Sequence, residues 1–190
     1  HVAGDHFNGT NEAMAYVKEV IQNKIGGAAK ILIEEKAIGE EFTLQAFTDG
    51  HHIAPLPAVQ DHKRLLPDDK GPNTGGMGSY SCADGLLPFL SKQEYHEGVS
   101  ILQHIIQALA KEHCTYIGPI YGQFILTSHG VKLIEVNARF GDPEAMNVLP
   151  LLQTDFLDVC TAMLDASLSK KDIQIEKKST VCKYVVPEGY

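Results

Sequence analysis

Apolar residues recur along the chain with two different periods, and the switches between them mark out its elements. Between Asn8 and Lys24, the residues Met14, Val17, Val20 and Ile21 fall at helical spacing, with Thr10 or Asn11 placed to cap and Gly26-Gly27 placed to stop the helix. Ile31-Leu32-Ile33 reads as a buried strand and Phe42 to Phe47 as a second one. Asp49-Gly50 is a hairpin signal that returns the chain through Ile53 to Val59. From Gln60 to Tyr80 neither period holds, and the glycines, prolines and mixed charges there predict a long loop, of a length that is functional or disordered. Ser91 to Glu112 is an amphipathic helix with a capping box, Ser91 and Glu94, and an apolar stripe of Tyr95, Val99, Leu102, Ile105, Ile106 and Leu109. His96 and His104 on it read as surface residues. Ile117 to Thr127 and Val131 to Ala138 form a hairpin around Ser128-His129-Gly130. A short helix after Pro143 with Asp142 as its cap, a packing helix from Asp155 to Leu168, and a strand from Ser179 to Val186 complete an α+β pattern, an antiparallel sheet flanked by helices.

The chemistry concentrates at the end of one strand. Lys132 to Val136 alternates polar and apolar residues, and period 2 puts Glu135 and Asn137 on one face. A carboxylate and an amide oxygen two residues apart are the hard ligands Mg²⁺ takes when phosphates and water supply the rest. Arg139 follows with a planar fork for phosphate or carboxylate. Taken alone, Glu-x-Asn-x-Arg also fits an edge strand with a solvated charge pattern. A turn centred on His129 sets Gln123 opposite Glu135. In the loop, Gly71 to Gly78 offers backbone N–H groups with no side chain to block an anion, beside the mixed cluster Asp61-His62-Lys63-Arg64, which also fits a solvated turn. It is not a Walker loop, because Gly-Lys-Ser/Thr is absent.

Composition narrows the classes. The 190 residues are 44% apolar and 21% charged, ordinary for a globular chain, and are enough for a sizeable core. A net charge of −8 without a Lys/Arg run argues against nucleic acid, and no apolar run suggests a membrane span or leader. Cys82, Cys114, Cys160 and Cys182 are widely spaced, which favours reduced thiols in a cytoplasmic protein. The chain begins His1-Val2-Ala3-Gly4 and stops just after an apolar run at Val185-Val186, so both ends are expected to be cut.

Two motifs then point to a family. Arg139-Phe140-Gly141-Asp142-Pro143-Glu144-Ala145-Met146, preceded by Gln60-Asp61-His62-Lys63-Arg64 and Gly71-Pro72-Asn73-Thr74-Gly75-Gly76-Met77-Gly78, resembles the phosphoribosylamine–glycine ligase family of ATP-grasp enzymes over nearly the whole chain. The resemblance implies an ATP-grasp fold and ATP-dependent joining of glycine to 5-phosphoribosylamine through glycyl phosphate, in purine synthesis. It implies Mg²⁺ or Mn²⁺ on Glu135 and Asn137, and adenine and ribose contacts from Glu34, Glu35, Ala37 and Glu41. Lys63, Arg139 and Asp142 are implied as catalytic, with Asp61, Arg64 and the backbone donors Thr74, Gly75 and Gly76 on the substrate side. Gln123 stands where many ATP-grasp enzymes carry an acidic second metal ligand, and Lys36-Ala37 where the family has a bulky apolar pair. Residues 1–181 are expected to be part of the ATP-grasp domain, lacking the start of its small lobe and the N-terminal substrate-binding domain, and 182–190 to open a C-terminal domain. Such a piece is expected to have little or no ligase activity alone. The competing readings are a different ATP-grasp carboxylate–amine ligase and a nucleotide-binding module without chemistry.

Overall fold

The computed structural model describes residues 9–27, 30–68, 70–187 and 189. They cluster into two compact units, residues 1–37 and residues 38–190.

The first unit holds helix α1, Thr10–Asn23. Gly9, not Thr10 or Asn11, occupies the cap position and makes no side-chain cap. Lys24 closes the helix in the left-handed conformation at φ 48°, and a 3₁₀ turn, Ile25–Gly27, follows. No residue of α1 is buried. The expected strand at Ile31-Leu32-Ile33 is not formed: the segment has no regular structure, and Leu32 and Ile33 are 81% and 83% exposed. An apolar run becomes a strand only where a neighbour supplies the ladder hydrogen bonds, and among the described residues none pairs with it.

The second unit is built on a four-stranded antiparallel sheet in the order β2-β1-β7-β8, with β1 Gly39–Thr48, β2 Ile53–Pro55, β7 Gly118–Thr127 and β8 Gly130–Asn137. The hairpin from β1 turns as the sequence predicts, with Asp49 Oδ1 accepting from the N–H groups of His51 (2.9 Å) and His52 (2.7 Å). Its return strand is cut short at Pro55, because Pro55 and Pro57 bring no N–H to a ladder. The chain regains β1 at Val59, which bridges Thr43.

β1 is buried on both faces. Phe42, Leu44 and Ala46 pack with Leu102 and Ile106 of α2, Lys92–Lys111, while Phe47 packs with Val148, Val159 and Met163. α2 carries the predicted capping box: Ser91 Oγ accepts from Glu94 N–H at 3.3 Å, and Glu94 Oε2 accepts from Ser91 N–H at 2.7 Å. On the opposite face lies α4, Phe156–Leu164, capped by Asp155. The single turn α3, Ala145–Val148, starts from Glu144 without a side-chain cap. Asp142 does not cap it, because its carboxylate instead accepts the Tyr184 hydroxyl.

The stretch from Gln60 to Tyr80 is not one long loop. It folds into β3 Gln60–Asp61, β4 Arg64–Leu66, β5 Lys70–Asn73 and the start of β6, Gly78–Ser81. β4 pairs with β5, and β3 and β6 form a second sheet with β9, Thr180–Lys183. Strands of two to four residues are too short to carry a period-2 signal. Buried Asn147 fastens α3 to this sheet, donating to Ser79 O (3.3 Å) and Thr180 Oγ1 (3.1 Å). Among the described residues no helix is long and apolar enough to cross a membrane.

Candidate functional site

Strand register converts side-chain alternation into two polar rows across the sheet. Thr43, Gln123 and Glu135 are cross-strand partners in one row, and Gln45, Tyr121 and Asn137 in the next. The predicted pairing of Gln123 with Glu135 is present, but by another route. The turn is tight at Ser128-His129, with Thr127 opposite Gly130, and an irregularity between Gln123 and Phe124 inserts Ile134 as one extra residue. That bulge restores the register and brings Glu135 and Asn137 into line with β7.

Members of these rows form one wall of a cavity of about 280 Å³. Tyr121, Glu135 and Asn137 line it from the sheet, and Asp61, Lys63, Thr74 and Gly75 from the β3–β6 side. Arg139, Asp142 and Glu144 close it from the loop before α3. Residues from both sequence motifs therefore meet on the metal-type strand end. Gln45 anchors the loop by accepting the Gly141 N–H at 2.7 Å. Gly141 is required there, since a Cβ would fall 2.4 Å from Glu144 Oε2 and 2.7 Å from the Tyr121 ring. A larger depression of about 410 Å³, between Pro55, Leu86, Tyr95 and Ile175, is mostly apolar and shares no residue with this cleft.

Some expected contacts fall elsewhere. Arg64 is turned away, its guanidinium donating to Gly71 O at 2.9 Å inside the β4–β5 hairpin, and it does not line the cavity. Of the expected backbone donors, Thr74 N–H is spent on Lys63 O (2.7 Å) and Gly76 N–H on Thr74 Oγ1 (3.1 Å). A turn satisfies its own N–H groups when acceptors lie within reach. Glu34, Glu35 and Ala37 lie in the irregular segment of the first unit.

Charge in the cleft is arranged as a chain. Lys63 Nζ donates to Glu41 Oε2 at 3.2 Å, and Gln123 Nε2 donates to the same oxygen at 2.9 Å. The Gln123 amide oxygen then accepts the Tyr121 hydroxyl, which also stands 3.0 Å from Glu144 Oε1. The Tyr121 hydroxyl is thereby shared between the Gln123 and Glu144 oxygens. Burial raises the Glu144 carboxyl above its ordinary range, against the lowering influence of Tyr121, Lys63 and Arg139, and only 2% of the residue is exposed. Burial also raises the Tyr121 hydroxyl. Asp61 is pushed up to about 7, by burial first and then by Glu144, with Lys63 opposing. Its Oδ1 is buried without a hydrogen-bond partner among the described residues.

Because this folded-state value exceeds the unfolded value of about 3.9, Asp61 costs stability as pH rises from about 4 to about 7, and the cost persists above. Asp61→Asn is accordingly expected to raise the melting temperature at pH 8 and leave it nearly unchanged at pH 4. Equal shifts at both pH values would show that the site does not penalise the charged form.

The donor set at the strand end suits a hard divalent cation. Asn137 Nδ2 donates to Glu135 Oε1 at 3.1 Å, which fixes the pair side by side. Among the described residues no three His, Cys, Asp or Glu groups gather as a metal cage. Two oxygens suit Mg²⁺ completed by phosphate and water, not a closed zinc site. The Gln123 amide oxygen is occupied by Tyr121, so it is not placed as a second metal ligand.

Comparison with known proteins places this architecture in two steps. The biotin carboxylase domain of 2-oxoglutarate carboxylase from Hydrogenobacter thermophilus shares the fold, with a TM-score of 0.61 at 13% identity over 90% of this chain and 36% of that one. Phosphoribosylamine–glycine ligase from Thermotoga maritima superposes with a TM-score of 0.79 at 25% identity, over 95% of this chain and 45% of that one. The fold is ATP-grasp. The family model of the phosphoribosylglycinamide synthetase ATP-grasp (A) domain matches residues 6–145, and the chain belongs to that family. Phosphoribosylamine–glycine ligases from Methanobrevibacter smithii and Methanothermobacter thermautotrophicus are 56% and 53% identical to it over 189 residues. The chain spans less than half, 43%, of the length of each.

Three participants escape sequence reasoning: Gln45, Tyr121 and Glu144. The available signal is period 2 itself, because Gln45 and Tyr121 are polar residues on the alternation of otherwise apolar strands. Glu144 lies within a recognised motif, but nothing local says that its carboxyl is buried.

Proposed function

We propose that the longer polypeptide carrying this chain joins glycine to 5-phosphoribosylamine at the expense of ATP, a step of purine biosynthesis. The observation that carries the proposal is the pair Glu135–Asn137, opening with Arg139 and Lys63 into one cavity on a chain of this family. In the first step a glycine carboxylate oxygen attacks the γ-phosphorus of ATP, the bond to ADP breaks, and glycyl phosphate forms. In the second the amine attacks the carbonyl carbon, the carbon–oxygen bond to phosphate breaks, and the amide forms. Mg²⁺ or Mn²⁺ held by Glu135 and Asn137 would neutralise the crowded phosphate oxygens. Arg139 and Lys63 hold the glycine carboxylate and the transferred phosphoryl group, as fixed cations in a water-poor cleft do. Asp142, held by Tyr184, orients Arg139 or the amine. Gly75 and Asp61 face the substrate, and Glu34, Glu35, Ala37 and Glu41 serve adenine and ribose.

Residues 1–181 then belong to the ATP-grasp domain and 182–190 begin its successor, with β9 as the seam. Flanking domains would supply the phosphoribosylamine site and the rest of the small lobe. A cytoplasmic setting agrees with the four cysteines present as free thiols. The complete protein is expected to release ADP and phosphate in equal amounts only when glycine and phosphoribosylamine are both supplied with Mg·ATP. The isolated 190-residue chain is expected to show little or no ligase activity. Turnover with another carboxylate would point to a different ligase of the fold. ATP binding without turnover would point to a nucleotide-binding module.

A further inference from the structure

Forming an amide from an acyl phosphate and an amine releases a proton from nitrogen, and the roles given above name no group to take it. Five carboxyl groups stand in or beside the cleft, and four are committed. Glu135 accepts from Asn137, and Glu41 from Lys63 and Gln123. Asp142 accepts the Tyr184 hydroxyl, and Glu144 closes the chain with Tyr121. Asp61 is left: it lines the cavity, and its Oδ1 is buried with no donor among the described residues. A buried acceptor without a donor is costly, and a proton taken up by the carboxyl relieves that cost.

The backbone packs closely around that oxygen. Gly76 sits at φ 128°, where a Cβ would lie 3.0 Å from Asp61 Oδ1 and 2.7 Å from Pro143 Cδ. Any side chain there would crowd both the carboxylate and the loop that carries Arg139. The family motif thus places glycine where Asp61 needs room.

We propose that Asp61 is the catalytic base of the amide-forming step, accepting the proton as the amine attacks glycyl phosphate. The proposal rests on the ligase reading above. The nitrogen lone pair forms the bond to the carbonyl carbon, and the carbon–oxygen bond to phosphate breaks with its electron pair leaving on phosphate. The N–H proton passes to the Asp61 carboxylate. The groups that bear on Asp61 are Glu144 from the α3 cap, Lys63 and the His62 backbone beyond β3, Glu41 on β1, Tyr121 on β7, and Tyr184 after β9. Arg139 acts on Glu144. Their balance leaves Asp61 titrating at about 7, where a carboxylate is basic enough to take a proton and still ionised at working pH.

The test separates the two chemical steps in the complete protein. Glycyl phosphate is trapped as the hydroxamate with hydroxylamine, a nucleophile that needs little base assistance, and amide formation is followed with phosphoribosylamine. Asp61→Asn is expected to lower the amide-forming kcat by about 10²- to 10³-fold and to change trapping by less than about threefold. In the wild type the amide-forming rate should fall as pH drops through about 7, and this limb should vanish in the variant. Equal loss of both steps, or loss of neither, overturns the assignment. Absence of both products from the wild type overturns the ligase reading, and the assignment with it. Asp61→Asn is nearly isosteric, and a retained thermal transition shows that any loss is not unfolding.

Discussion

Glu135→Ala is expected to abolish Mg·ATP binding in calorimetric titration and to lower ligase turnover of the complete protein by about 10³-fold, the scale seen when a preorganised charge contact in an active site is removed. Glu135 supplies the single carboxylate of the strand-end pair, and its loss leaves Asn137 with an amide alone and an unmatched Nδ2 donor. The residue is exposed on an edge strand, so the fold should be spared, with a stability change within about 0.5 kcal/mol. An unchanged thermal transition with lost binding therefore assigns the effect to the metal–nucleotide site. Binding retained by the variant would move that site away from β8. The same titration on the 190-residue chain asks whether this piece holds enough of the phosphate site to bind at all.

Phe124→Ala is expected to destabilise the second unit by about 3–5 kcal/mol, a large share of the 5–15 kcal/mol that holds a typical domain together. The ring is fully buried and stacks on Phe42 with centroids 5.4 Å apart. It also lies over Gly122, where a Cβ would come within 2.6 Å of it, and Gly122 has no side chain to fill the space it leaves. Urea denaturation followed by circular dichroism measures the loss as a lower midpoint with an unchanged slope. Because Phe124 sits where the β7–β8 register shifts, the variant should also disturb the alignment of Gln123 with Glu135. A loss below about 1 kcal/mol would show that the core does not depend on this pair.

What could be read from the sequence was local. The α2 capping box closes between Ser91 and Glu94, three residues apart, and the Asp49-Gly50 turn is made by Asp49 and the next three residues. Period 2 alone put Glu135 and Asn137 on one face, and the two motifs gave the family. The same reasoning failed wherever a partner distant in sequence decides. Ile31-Leu32-Ile33 has a strand's composition but no pairing neighbour among the described residues, while Gln60 to Tyr80 lacks a strand's period and is paired through β3, β6 and β9. Arg64 sits beside Lys63 in the chain, yet one hydrogen-bonds within a hairpin and the other reaches the cleft. Asp142 has the position of a cap, but Tyr184, 42 residues away, takes its carboxylate.

The sequence by itself determined the family, the main helix, the two hairpins and the shared face of Glu135 and Asn137, because these rest on residue type and on contacts a few positions apart. Only the tertiary structure decided which carboxyl groups are buried together and which are pushed above the usual carboxylate range. Burial raises both Asp61 and Glu144 and the charges of neighbours adjust each, and both causes come from β1, β7 and the loop before α3 closing on one another.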